Sequence, residues 1–190
     1  MDLADHFRTS ARANRLANYR LQQAMLCLGS EDFHARRVSF FPSLAATVNH
    51  LLAVDVYYTA CLHGEADMVL QYQQFRPCAN VTAWARRQKL NDERLIALCD
   101  GLAMDDLERP VRLDRGDRVD LNPLGRTLAH LFMHQTHHRG QVHAMLSGTS
   151  IKPPQLDDFL LPSDARVRTD DVQALGWTEI DLFGEHSQAA

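Results

Sequence analysis

The chain has 190 residues, 45% hydrophobic and 23% charged, with a formal net charge of −4, the proportions of one ordinary globular domain. Acids and bases are interspersed, which excludes the basic stripe of a nucleic-acid binder, and the arginines of "ARANRLANYR" read as the solvated side of a helix. No apolar run reaches bilayer length and "MDLADHFRTS" lacks a basic region followed by an apolar segment, so no membrane partner is expected and the expected compartment is the cytoplasm.

Helical periodicity predicts a first helix from about Leu3 to Leu28, stopped at Gly29 and Ser30. A polar linker, "EDFHARRVSFF", leads to Pro42, suited to the first turn of a second helix that runs to about Gly64. The segment from Glu65 to Cys78 carries no clear period. Asn80 or Thr82 can cap a third helix that ends at Gly101. Val111 and Leu113, then Val119 and Leu121, alternate with polar residues around "DRGD", a short β-hairpin signal. Asn122 and Pro123 open a fourth helix, Leu124 to Leu146, stopped at Gly148.

The remainder is rich in Pro and Asp and reads as mostly irregular. Its apolar residues, among them Phe159, Leu160, Leu161, Trp177 and Phe183, imply that it wraps on the rest. The expected fold is all-α: a four-helix bundle with a short β-hairpin between the third and fourth helices and a wrapping C-terminal tail. One domain is expected overall, with the bundle in residues 1–162 and the tail in 163–190. Cys27, Cys61, Cys78 and Cys99 are scattered without a CxxC pair, so free thiols are expected.

Five of the ten histidines lie in fourteen residues, "HLFMHQTHHRGQVH". At about 100° per residue, His138 sits about 40° from His134 and one turn along. Leu124, Thr127, Leu131, Val142 and Met145 share that side, so both imidazoles lie on or beside the core-facing stripe. His130, His137 and His143 fall outside it, toward solvent or the helix boundaries. An i,i+4 histidine pair can reach one metal ion, and a third ligand has to come from another helix. His50, on the second helix among small and apolar neighbours, is the natural candidate.

The pattern alone leaves a metal site and a hydrogen-bonded histidine core both open. Asp55 and Asp92 are available as extra ligands, with a surface or helix-pairing charge as the simpler reading. Tyr57 lies near the His50 face, and Cys61 reads as a small hydrophobe. Gln135 and Gln141 flank the pair, where they can orient a ring nitrogen or simply face solvent or a neighbouring helix. Arg139 stands about 140° from His134, which favours a structural ion pair or hydrogen bond.

The segments "SLAATVNHLLAVDVYY", "LAHLFMHQTHHRGQVHAML" and "PPQLDDFLL" resemble the DinB-like family of metal-binding four-helix bundles. The resemblance spans most of the chain, from "ARANRLANYRLQQAM" to "PPQLD", and its most specific element is the histidine pair running into "RGQ". It implies a metal triad of His50, His134 and His138, and a dimer as a family-level expectation. It also implies, through the wider superfamily, a transferase or isomerase that uses a low-molecular-weight thiol such as mycothiol, bacillithiol or glutathione.

Three histidines leave coordination positions open, as in catalytic sites. Zinc fits best by softness and availability, with nickel, iron and manganese compatible. The leading function is a metal-dependent thiol S-transferase acting on a small-molecule electrophile. The alternatives are a non-enzymatic metal-binding stress protein and a metal-activated-water hydrolase. The hydrolase ranks lower because Gln135 follows His134, so there is no HExxH base.

Overall fold

Asp2 starts the first helix, α1 (Leu3–Leu26), through a reciprocal cap: its carboxylate accepts from the Asp5 N–H while the Asp5 carboxylate accepts from the Asp2 N–H. The computed structural model describes residues 1–184. A short helix, α2 (Ser30–His34), occupies part of the expected linker. Pro42 lies outside the next helix, α3 (Leu44–His63), because Ser43 caps it by accepting from the Ala46 N–H at 3.0 Å. Gly64, at φ +70°, ends α3 in the left-handed conformation that favours glycine.

The segment without a clear period contains α4 (Met68–Gln73). Asn80 then caps α5 (Val81–Asp100), accepting from the Ala83 N–H at 2.9 Å. The hairpin forms as expected, β1 (Pro110–Asp114) antiparallel to β2 (Val119–Pro123), with Arg112 opposite Leu121. Only β1 faces the core: Val111 and Leu113 are buried, whereas Leu121 is 68% exposed. The chain passes from β2 directly into α6 (Leu124–Leu146).

The structure is mostly helical, with this one two-stranded sheet among the described residues. Each of the four long helices packs on two others: α1 on α5 and α6, and α3 on α5 and α6. Two apolar clusters occupy opposite ends. One contains Phe7, Leu62, Leu95 and Leu124, the other Met25, Leu44, Trp84 and Leu146. Between them, at mid-height on all four helices, lies a layer of buried polar residues that includes Asn18, Asp55, Gln88 and Arg139.

The tail is less irregular than expected, with α7 (Ala165–Ala174) and α8 (Glu179–Phe183) both touching α1. Leu16 and Ala17 of α1 bury Phe159, Val172 and Leu182, with Trp177 and Phe183 packed beside them. Arg168, fully buried, donates to Glu179 and to the carbonyls of Asp158 and Leu161, which ties the tail to itself. Leu160 and Leu161 stay exposed. Of the tail expected over 163–190, residues 185–190 lie outside the described residues. All four cysteines are free, three of them buried. No helix of the described residues is long and apolar enough to cross a membrane.

Candidate metal centre

His50 comes from the first half of α3, and His134 and His138 from successive turns of α6. One ring nitrogen of each lies within 4.8 Å of the others. The Nε2 atoms of His134 and His50 are 3.3 Å apart. Ring centroids are separated by 4.3 Å for His134–His138, 4.7 Å for His50–His138 and 5.3 Å for His50–His134. His138 is buried and the other two are half-buried. Phe41, from the α2–α3 connection, lies over His50 at 4.3 Å and near His138 at 5.7 Å, so it keeps water off one side of the cluster.

Gln141 sets the tautomer of His138. Its amide nitrogen donates to His137 Nε2 at 3.2 Å, which turns its oxygen to accept from His138 Nδ1–H at 2.8 Å. His138 Nε2 is thereby left with a free lone pair pointing into the group. His134 Nδ1 is buried with no hydrogen-bond partner among the described residues. Three neutral imidazoles whose ring nitrogens converge, with Nε2 of His134 3.3 Å from Nε2 of His50, bring lone pairs together with too few protons to bond them all, whereas a shared cation would use one lone pair from each. The residues present therefore fit a divalent metal.

Electrostatics keep those lone pairs unprotonated. Burial, followed by the neighbouring His138 and His50, pushes the His134 imidazole down to about 3. His50 is lowered by burial and then by His138. His138 is also lowered by burial, although the bond to Gln141 pulls it partly back. A protonated ring here would face two others at close range, so the neutral, ligating form is favoured across ordinary pH.

The other residues singled out in the sequence fall elsewhere. His130 and His137 are exposed and His143 is half-buried, all three outside the cluster. Tyr57 is buried and donates from Oη to the Asp114 carbonyl at 2.6 Å; Cys61 packs in the apolar core. Asp55 and Asp92 are neither ligands nor surface charges. Asp55 Oδ2 accepts from Gln88 Nε2 at 2.7 Å, and Asp92 accepts from Asn18 and Gln88, each at 3.0 Å. Arg139 donates to Asn14, to Asn18 at 3.3 Å and to Gln135 Oε1 at 3.1 Å, so Gln135 turns inward and away from the histidines.

Asn14, Arg15 and Asn18 come from "ARANRLANYR", so that run is the buried polar face of α1 and not its solvated side. Burial raises Asp55 well above the usual carboxylate range and Asp92 to about 6, and it lowers Arg139 to about 10.

Two recesses meet at the cluster, and no motif announces either. A cavity of about 420 Å³ reaches His134, walled by Tyr57, Tyr58, Tyr72 and Arg115. A more open groove of about 630 Å³ reaches His50, lined by Tyr72, Phe75 and Cys78. Among curated proteins, none matches this chain. The DinB family model matches residues 4–169, a span that holds all three histidines and α1 through α6 except for its first residue. A match over that length, with a three-histidine group able to hold a metal ion where the resemblance places it, shows that the chain belongs to the DinB family.

Proposed function

We propose that the chain is a metal-dependent thiol S-transferase, a four-helix bundle in which His50, His134 and His138 hold a divalent cation, zinc by softness and availability. The observation that carries this reading is the position of the three-histidine group between two recesses, one for a low-molecular-weight thiol and one for a small electrophile. When bound, the cation supplies positive charge beside which a thiol is deprotonated at neutral pH.

The chain's own residues prepare the site for that chemistry. Gln141 holds His138 in the ligating tautomer, and burial keeps His134 unprotonated. Phe41 excludes water on one side, and Tyr72 stands in the wall common to both recesses. A hydrolase needs a base beside the attacking water, and the group contains no carboxylate among the described residues.

Elemental analysis of tag-free protein, beside His50→Ala, His134→Ala, His138→Ala and His143→Ala, tests the site. Near-stoichiometric metal that is lost in the first three variants and kept in the fourth supports the triad. Conjugation of 1-chloro-2,4-dinitrobenzene with glutathione and with cysteine then tests the reaction. Bound metal without thiol-dependent turnover leaves a metal-binding protein, and metal-dependent cleavage of p-nitrophenyl acetate in its place would favour the hydrolase.

A further inference from the structure

The cavity against His134 combines tyrosine and valine walls with an arginine at one end. Val54 and Tyr57 of α3 face Val69 and Tyr72 of α4, and Arg115 closes the cavity from the hairpin tip, where Asp114, Gln73 and His130 also line the wall. The backbone there is braced twice. Arg115 N–H donates to the Arg118 carbonyl at 2.8 Å, and Tyr57 Oη holds the Asp114 carbonyl. Gly116 takes φ +90°, which lets the turn close.

The guanidinium lies 5.7 and 5.6 Å from the Tyr57 and Tyr58 ring centroids, and its Nη2 donates to Tyr58 Oη at 3.2 Å. Its nearest carboxylate, Asp120, stands at 3.6 Å from Nε, beyond a good hydrogen bond. The Asp114 carboxylate is turned to Arg112 at 2.8 Å and to the Gly116 N–H at 2.9 Å. Arg115 Nη1 therefore has donors to spare among the described residues. Arg126 lines a smaller recess of about 220 Å³ on the other side of Arg115, which adds positive charge to that end.

We propose that this cavity binds a small carboxylate with a planar apolar body: the carboxylate on Arg115, the body between the tyrosine and valine walls, and the far end at His134. An arginine fork matches a carboxylate in two parallel bonds. Tyrosine faces suit a flat apolar body, and a cavity of about 420 Å³ holds a molecule of that size. That the far end is the electrophile rests on the transferase reading; the binding itself does not.

The test titrates cinnamate, cinnamamide and phenyl phosphate into EDTA-stripped and zinc-loaded protein, followed by calorimetry. Cinnamate should bind at least tenfold more tightly than cinnamamide and phenyl phosphate in both forms. Arg115→Ala should lose at least tenfold in cinnamate affinity and Arg115→Lys should lose less. Arg115→Gln serves as a second variant, with helical circular dichroism confirming the fold. Equal affinity for the amide, tighter phenyl phosphate, an unchanged variant or no binding in either form would overturn the assignment. Cinnamate binding by a protein that holds no metal would sink the transferase reading and leave this one standing.

Discussion

His134 and His138 share two turns of α6 with Gln135 and Arg139, offset by about 100° around the axis. The two pairs meet different partners, although each keeps one buried nitrogen without a hydrogen bond among the described residues, Nδ1 of His134 and Nε2 of Gln135. The histidines face His50 with lone pairs converging and one ring nitrogen left without a partner. Gln135 and Arg139 face Asn14 and Asn18, and the guanidinium is bonded on several sides beside two buried carboxylates. Both belong to the polar layer that separates the two apolar clusters. The difference lies in charge: neutral imidazoles converge with no carboxylate in their group, whereas a buried guanidinium is held by amide oxygens beside two carboxylates, because an unpaired buried charge is expensive.

The sharpest way to break this contrast is Arg139→Met. It removes the guanidinium that Asn14, Asn18 and Gln135 bond and the positive charge that acts on Asp55, while Asp92 keeps Arg15 at 3.8 Å, and stability in urea denaturation should fall by about 3–5 kcal/mol. A loss under about 1 kcal/mol would show that the network is dispensable.

Asp92 provides the next largest effect, through pH. Its folded-state carboxyl is raised to about 6 by burial, against about 4 in an unfolded chain. Between those values the folded protein binds more protons, so this group stabilises fully below about pH 4 and its contribution is lost as pH rises through about 6. The unfolding free energy of wild type minus that of Asp92→Asn should therefore drop by about 2–3 kcal/mol from pH 4 to pH 6.5. The His134 imidazole, displaced in the opposite sense, is present in both proteins and cancels in the difference.

On the histidine side the expected signature is reversed. His134→Ala should weaken zinc binding by more than about 100-fold, read by competition with a chelator. The metal-free stability should move by no more than about 1 kcal/mol, because the substitution removes an unsatisfied nitrogen. A large loss of metal-free stability would make the cluster a structural core.

The smallest expected change sharpens the role of Gln141. Gln141→Ala should reduce zinc affinity by about 10–100-fold. Gln141→Glu, which still accepts from His138 Nδ1–H, should recover most of it. Equal affinity in both variants would mean that the side chain does not set the tautomer.

Much of this organisation is written in short-range pattern. Ser43 and Asn80 cap helices through bonds three residues long, the hairpin follows from alternation around "DRGD", and the 3.6-residue period turns His134 and His138 inward. The residue pattern offered His50 as their partner and the family resemblance named the same three, and the structure brings the three rings together. Such signals survive in sequence because each depends on neighbours along the chain.

Tertiary packing alone decided the rest. Asn14 and Arg139 are 125 positions apart, and no periodicity on either helix tells that an arginine-bearing run on α1 is the buried partner of another arginine's network. Phe41 over His50, and the pinning of Arg115 against Tyr57 and Tyr58 by the hairpin, likewise depend on where loops land on α3. The tail helices read as irregular because their apolar residues are few, and they are buried by the surface of α1 that receives them. A helix carries its own inward face in its sequence, but the charge or ring that will meet that face is chosen by distant segments brought together in the folded chain.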